Sequence, residues 1–110
     1  MKRIRLTDCI GWFDRDAAVE FSAACFWDGN NHIDINTSSQ WAGERIYYTR
    51  SGKWILNIWS SYNWERPEQY IIIDESTALD WLITNEHYSA GECPPKIQEK
   101  LQKHVTLTEI

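Results

Sequence analysis

From Lys53 to Ser60 apolar side chains fall on both faces of an extended segment: Trp54, Leu56 and Ile58 on one, Ile55 and Trp59 on the other. Side chains alternate across a strand, so this pattern predicts a strand covered on both sides and central in its sheet. Its neighbours read the same way. Ile46-Tyr47-Tyr48-Thr49 is a strand, and Arg50-Ser51-Gly52-Lys53 is a short hairpin loop with Gly52 where φ must be positive. Ser61 to Pro67 is a polar loop, and Glu68 to Ile73 is the next strand. Asp74 then caps a helix with Glu75 in its first turn, because both favour the exposed N–H groups of a helix start. Ala78, Leu79, Trp81, Leu82 and Ile83 form its apolar stripe. The stretch from Ile46 to Glu86 is thus expected to be a β-meander closed by a helix of about residues 75–86.

The flanks carry weaker patterns. Lys2 to Thr7 alternates charge with Ile4 and Leu6 and predicts a short edge strand. Asp14 reads as the cap of a short helix over Arg15 to Phe21, and Cys25 as a small buried hydrophobe. Asp28-Gly29-Asn30-Asn31 is a turn. After it, His32 to Asn36 predicts a half-buried strand with Ile33 and Ile35 inward and His32, Asp34 and Asn36 on the wet face. Pro95 opens a second short helix through Gln102, with Lys96, Lys100 and Lys103 on its wet side. Val105 to Ile110 reads as a frayed tail or a last strand. Residues 1–110 form one domain, α+β, with an antiparallel sheet of four to five strands and the main helix packed on one face.

Composition narrows the function classes. The net charge of −5 disfavours general nucleic-acid binding, where cations neutralising phosphates supply most of the affinity. No apolar run is long enough for a membrane helix, and no secretory signal is evident. Three widely spaced cysteines, Cys9, Cys25 and Cys93, fit neither a disulfide framework nor a zinc pattern, so free thiols in a cytoplasmic protein are expected. No phosphate loop, nucleophile elbow or HExxH motif is present. The paired carboxylates Asp14/Asp16 and Asp74/Glu75 sit at helix starts, where capping explains them.

The string Tyr48-Thr49-Arg50-Ser51-Gly52-Lys53-Trp54-Ile55-Leu56, then Trp59-Ser60, then Ala78-Leu79-Asp80-Trp81-Leu82-Ile83-Thr84-Asn85, resembles a group of short bacterial proteins generally labelled hypothetical. It spans about the middle third of the chain. The resemblance implies a bacterial source and brings no activity, catalytic residue or cofactor with it.

Seven tryptophans in 110 residues exceed what a core of this size absorbs. Trp54 and Trp81 fall on core-building elements. Trp41, Tyr62 and Trp64 fall in loops rimmed by serines and asparagine, and aromatic side chains of this kind anchor interfaces. With Arg50 at the neighbouring hairpin, they are the expected binding residues. The expected function is a small non-enzymatic binding or regulatory protein that recognises a protein partner, or its own copy, without cofactor. The alternative is a small-molecule binder or enzyme with a pocket near His32 and Asp34. Those two lie two apart on a strand and could share a metal or a proton, although no metal site is expected.

Overall fold

The chain runs β1 (Arg3–Arg5), β2 (Trp12–Asp14), a 3-10 turn (Arg15–Ala17), β3 (Val19–Ser22), β4 (Cys25–Trp27) and β5 (His32–Asp34). It continues through β6 (Ala42–Tyr48), β7 (Trp54–Ser60), β8 (Gln69–Ile73), α1 (Glu75–Thr84) and α2 (Pro95–Thr108). The computed structural model describes residues 1–27, 29–30, 32–37, 42–60, 68–85, 87 and 93–108, without the side chains of 26 and 27. Trp41, Tyr62 and Trp64, and most of the polar rim expected around them, lie outside the described residues.

Four strands form one antiparallel sheet in the order β3-β6-β7-β8. β6 and β7 pair from Ala42↔Ser60 to Tyr48↔Trp54, and β7 pairs with β8 from Trp54↔Ile73 to Ile58↔Gln69. Two further hairpins, β1-β2 and β4-β5, stand apart from this sheet. The meander and its closing helix are those the apolar pattern predicts. The fourth strand is β3, from a segment expected to be helical. Asp14 does cap the turn, accepting the Asp16 N–H at 3.1 Å, but the helix stops after Ala17. Val19 and Phe21 alternate, and pairing opposite Tyr48 and Ile46 buries Phe21 in the main core, which a short isolated helix could not do.

Both faces of the sheet are covered, as the doubly apolar β7 requires. On one face Phe21, Ile46 and Trp54 meet Ala78, Leu79 and Leu82 of α1 and Ile97 and Leu101 of α2. On the other, Tyr47, Ile55 and Tyr70 meet Phe13, with Ile4 and Leu6 of the N-terminal hairpin segment packed around them. Helix α1 is capped by Asp74, whose carboxylate accepts the Thr77 N–H at 2.8 Å. Trp81 Nε1 donates to Glu44 Oε1 at 3.0 Å, which fixes α1 to β6. At the end of α1 the buried Asn85 accepts from Ala24 N (3.0 Å) and Asn36 Nδ2 (2.8 Å), tying in the β4-β5 hairpin.

Three further expectations are corrected. Helix α2 runs to Thr108 rather than ending near Gln102 with a frayed or extended tail. Ile97 and Leu101 seat it on the core, and His104 carries the packing on, its Nε2 2.6 Å from Asp80 Oδ1 of α1. Cys25 is exposed rather than buried, because its hairpin lies outside the main sheet. Asp34 points inward, only 5% exposed, where a wet face was expected. No described helix is long and apolar enough to cross a membrane.

Candidate functional site

The turn joining β6 to β7 is built by one hydroxyl. Thr49 N donates to Lys53 O at 2.8 Å and Gly52 N to Thr49 O at 2.9 Å. Thr49 Oγ1 accepts the Lys53 N–H at 2.9 Å and lies 3.1 Å from Ser51 Oγ. Gly52 has φ +87°, which a side chain would strain. The hydroxyl therefore satisfies the turn from inside, and Arg50, Ser51 and Lys53 are left exposed. Arg50 and Lys53 make no ion pair among the described residues.

The N-terminal hairpin faces this turn. Its register, Arg3↔Asp14, Ile4↔Phe13 and Arg5↔Trp12, sends Ile4 and Phe13 toward the sheet and the other four side chains away. Trp12 is consequently 47% exposed, with the Arg3 guanidinium 4.6 Å from its ring centroid. Asp14 is held below the usual carboxylate range chiefly by the hydrogen bond from the Lys2 backbone N–H, against a smaller opposing effect of burial, with the Asp16 N–H, the N-terminal ammonium and the Arg50 guanidinium adding to the lowering.

Between hairpin and turn lies a cleft of about 230 Å³. Leu6, Phe13, Ile55 and Ile72 give it an apolar floor, Trp12 forms a wall, and Arg50 and Lys53 stand at its mouth. Thr49 and Ser51 add hydroxyls, and Asp14 is its one carboxylate. That carboxylate already accepts two backbone N–H groups, from Lys2 and Asp16. The cleft thus offers an aromatic surface beside two cations that make no ion pair among the described residues, with Asp14 the one carboxylate whose field Arg50 feels, an arrangement suited to an apolar group carrying negative charge.

A second pair of hollows lies on the same sheet face, beyond the hairpin. One, of about 270 Å³, is lined by Glu20, Cys25, Asp34, Arg45 and Trp59 among others. The adjoining one, of about 400 Å³, shares Glu20 and Arg45 and adds Arg15, Asp16 and Tyr47. Here the charges answer one another. Arg45 Nη1 lies 3.5 Å from Glu20 Oε1, and Tyr47 Oη donates to the same carboxylate at 3.0 Å. Burial pushes the Tyr47 phenol above its ordinary value, so it remains a donor. The Arg45 guanidinium also lies 5.5 Å from the centroid of Trp59. Arg45 and Glu20 are thus satisfied by each other, and of the cations here only Arg15 makes no ion pair among the described residues.

Of the residues singled out in the sequence, Arg50 lies at the cleft. His32 and Asp34 are on β5, away from it. Asp34 Oδ1 accepts the N–H groups of Asn36 (2.7 Å) and Thr37 (3.2 Å), and Oδ2 that of Glu44 (3.2 Å). Its carboxylate organises the chain entering β6. His32 is exposed at the start of β5 and does not line the hollow that Asp34 borders. Among the described residues no three His, Cys, Asp or Glu side chains cluster as metal ligands would. Trp12 and Ile72 escaped the sequence reading. The three-residue strand of Trp12 is too short to show alternation. The resemblance to short bacterial proteins rests on the quoted strings alone, because comparison with protein-family models, characterised proteins and solved structures gives no match.

Proposed function

We propose that this is a non-enzymatic binding protein that receives a partner protein at the Trp12–Arg50–Lys53 cleft. One observation carries the reading: an exposed indole and two cations that make no ion pair among the described residues surround an apolar floor. Trp and Arg are the residue types that concentrate binding energy at interfaces. Size supports a protein over a cofactor. The cleft's 230 Å³ lies below the roughly 300–1,000 Å³ typical of small-molecule sites and matches one or two inserted side chains. The overall charge of −5 sets the cationic corner apart and speaks against a long polyanion as partner.

Selection of linear peptides from a random display library tests the reading. It should enrich an apolar residue flanked by Asp or Glu. The combined substitution Trp12→Ala and Arg50→Gln should weaken the selected peptides by about tenfold or more, with far-UV dichroism unchanged. An absence of consensus, or undiminished binding by the double variant, would overturn the proposal.

A further inference from the structure

The sheet ends on one side in β8, and its edge is only half closed. Tyr70 O accepts the Thr7 N–H at 2.8 Å, and Tyr70 N donates to Thr7 Oγ1 at 2.8 Å. The amide groups of Tyr70 therefore point away from β7. Backbone direction alternates along an antiparallel strand, so those of Ile72 and the N–H of Asp74 point the same way. Thr7 stops one register short of them, and neither has a hydrogen-bond partner there among the described residues. The opposite edge differs: His87 Nε2 lies 2.6 Å from Ser22 O, and Glu20 puts a charge on the strand.

The open end of β8 adjoins the cleft. The Ile72 side chain is 40% exposed and lines the cleft floor. The pairing of Trp54 with Ile73 places Lys53 and its turn beyond the same end of β8. Of the neighbouring acids, Glu75 pairs with Lys100 at 2.7 Å, while Asp74 and Asp14 keep their charge as they accept backbone N–H groups and Asp14 feels Arg50; against Arg3, Arg50 and Lys53 the corner stays net cationic. Resting on the binding function proposed above, we infer that an extended segment of the partner protein adds to β8 as a fifth strand at Ile72, with an acidic residue two positions from an apolar one. Residues two apart share a face, so the apolar side chain enters the cleft while the carboxylate meets Arg50 and Lys53. Charge complementarity selects that occupant. A second copy fits poorly, because two outward residues supply far less than the roughly 1,200 Å² of a specific interface and each copy carries −5.

The test uses the full chain and a blocked heptapeptide, Thr-Val-Thr-Glu-Thr-Val-Thr, with copies N-methylated at each position in turn. Binding should weaken by about tenfold at alternate positions and little at those between, since only every second amide faces β8. Saturation with the parent peptide should slow exchange of the Ile72 amide about tenfold, and changing the peptide's Glu to Gln should weaken binding. If the peptide binds but tolerates methylation everywhere and leaves Ile72 exchange unchanged, the added strand is wrong and the cleft reading survives. If nothing binds at millimolar concentration, both fall. A dimer in light scattering that the peptide dissociates would identify a second copy as occupant and overturn the partner segment.

Discussion

At the scale of single residues, the tightest constraint is Gly43. It sits opposite Trp59 in the β6-β7 ladder, and a Cβ there would stand 2.6 Å from Trp59 Cζ2 and 2.6 Å from Asp34 Oδ2. Neither neighbour can retreat cheaply, because the indole lies against β6 and the carboxylate holds three backbone N–H groups. Gly43→Ala should therefore destabilise the protein by about 1–3 kcal/mol through overpacking, seen as a lower urea midpoint. An unchanged midpoint would mean that the backbone and Trp59 are not in contact. Nothing in the sequence marks Gly43 out: the string Ala42-Gly43-Glu44 precedes the predicted strand, and the glycine's role depends on two residues far from it in sequence. Arg50 is the reverse case. Its exposure follows from the turn chemistry around Gly52, which is local.

Among the elements, α1 was the most legible. Its cap, first-turn acid and apolar stripe are all contiguous in sequence, and the helix appears where they place it, ending at Thr84. The cap carries a pH dependence. Hydrogen bonds from Thr77, side chain first and backbone second, hold the Asp74 carboxyl below its ordinary value of 3.8. A lowered folded-state value means stability present above 3.8 and lost as pH falls toward and through the folded value. Asp74→Asn should keep the cap near neutrality, since Asn caps as well as Asp, while flattening that acid limb. Asp74→Ala should lower the melting temperature at all pH values and speed exchange of the Thr77 amide. Melting curves over an acidic pH series check both, and an acid limb that persists in the Asn variant would assign it elsewhere. The segment 15–21 was misread because capping and alternation compete there. The cap won for three residues, and a partner strand then decided the rest.

For the molecule as a whole, the two sides of the sheet are unequal. Among the described residues, eight buried ones join the helical side and four the hairpin side. Leu82 is fully buried in the larger cluster, and Leu82→Ala should cost about 2–5 kcal/mol, a large part of the roughly 5–15 kcal/mol that holds a domain together. Phe13→Ala removes the centre of the smaller cluster. It should release the hairpin locally, speeding amide exchange in residues 3–14 and dissolving the cleft, while helical dichroism survives. If Phe13→Ala instead unfolds the chain in the same single transition as Leu82→Ala, the two layers are one cooperative unit.

By itself the sequence determined the meander, the helix that closes it and the central place of β7. Each depends on periodicity within a few residues, and periodicity is set by backbone geometry before any tertiary contact forms. Only the tertiary structure decided that β3 is a strand, that Asp34 faces inward, and that Trp12, Ile72, Arg50 and Lys53 meet around one cleft. The β3 pairs join residues 23 to 29 positions apart, Asp34 turns inward to hold the Glu44 N–H ten positions on, and the cleft brings Trp12 to Arg50 and Ile72, 38 and 60 positions away; no local pattern encodes which distant surface a short strand will cover.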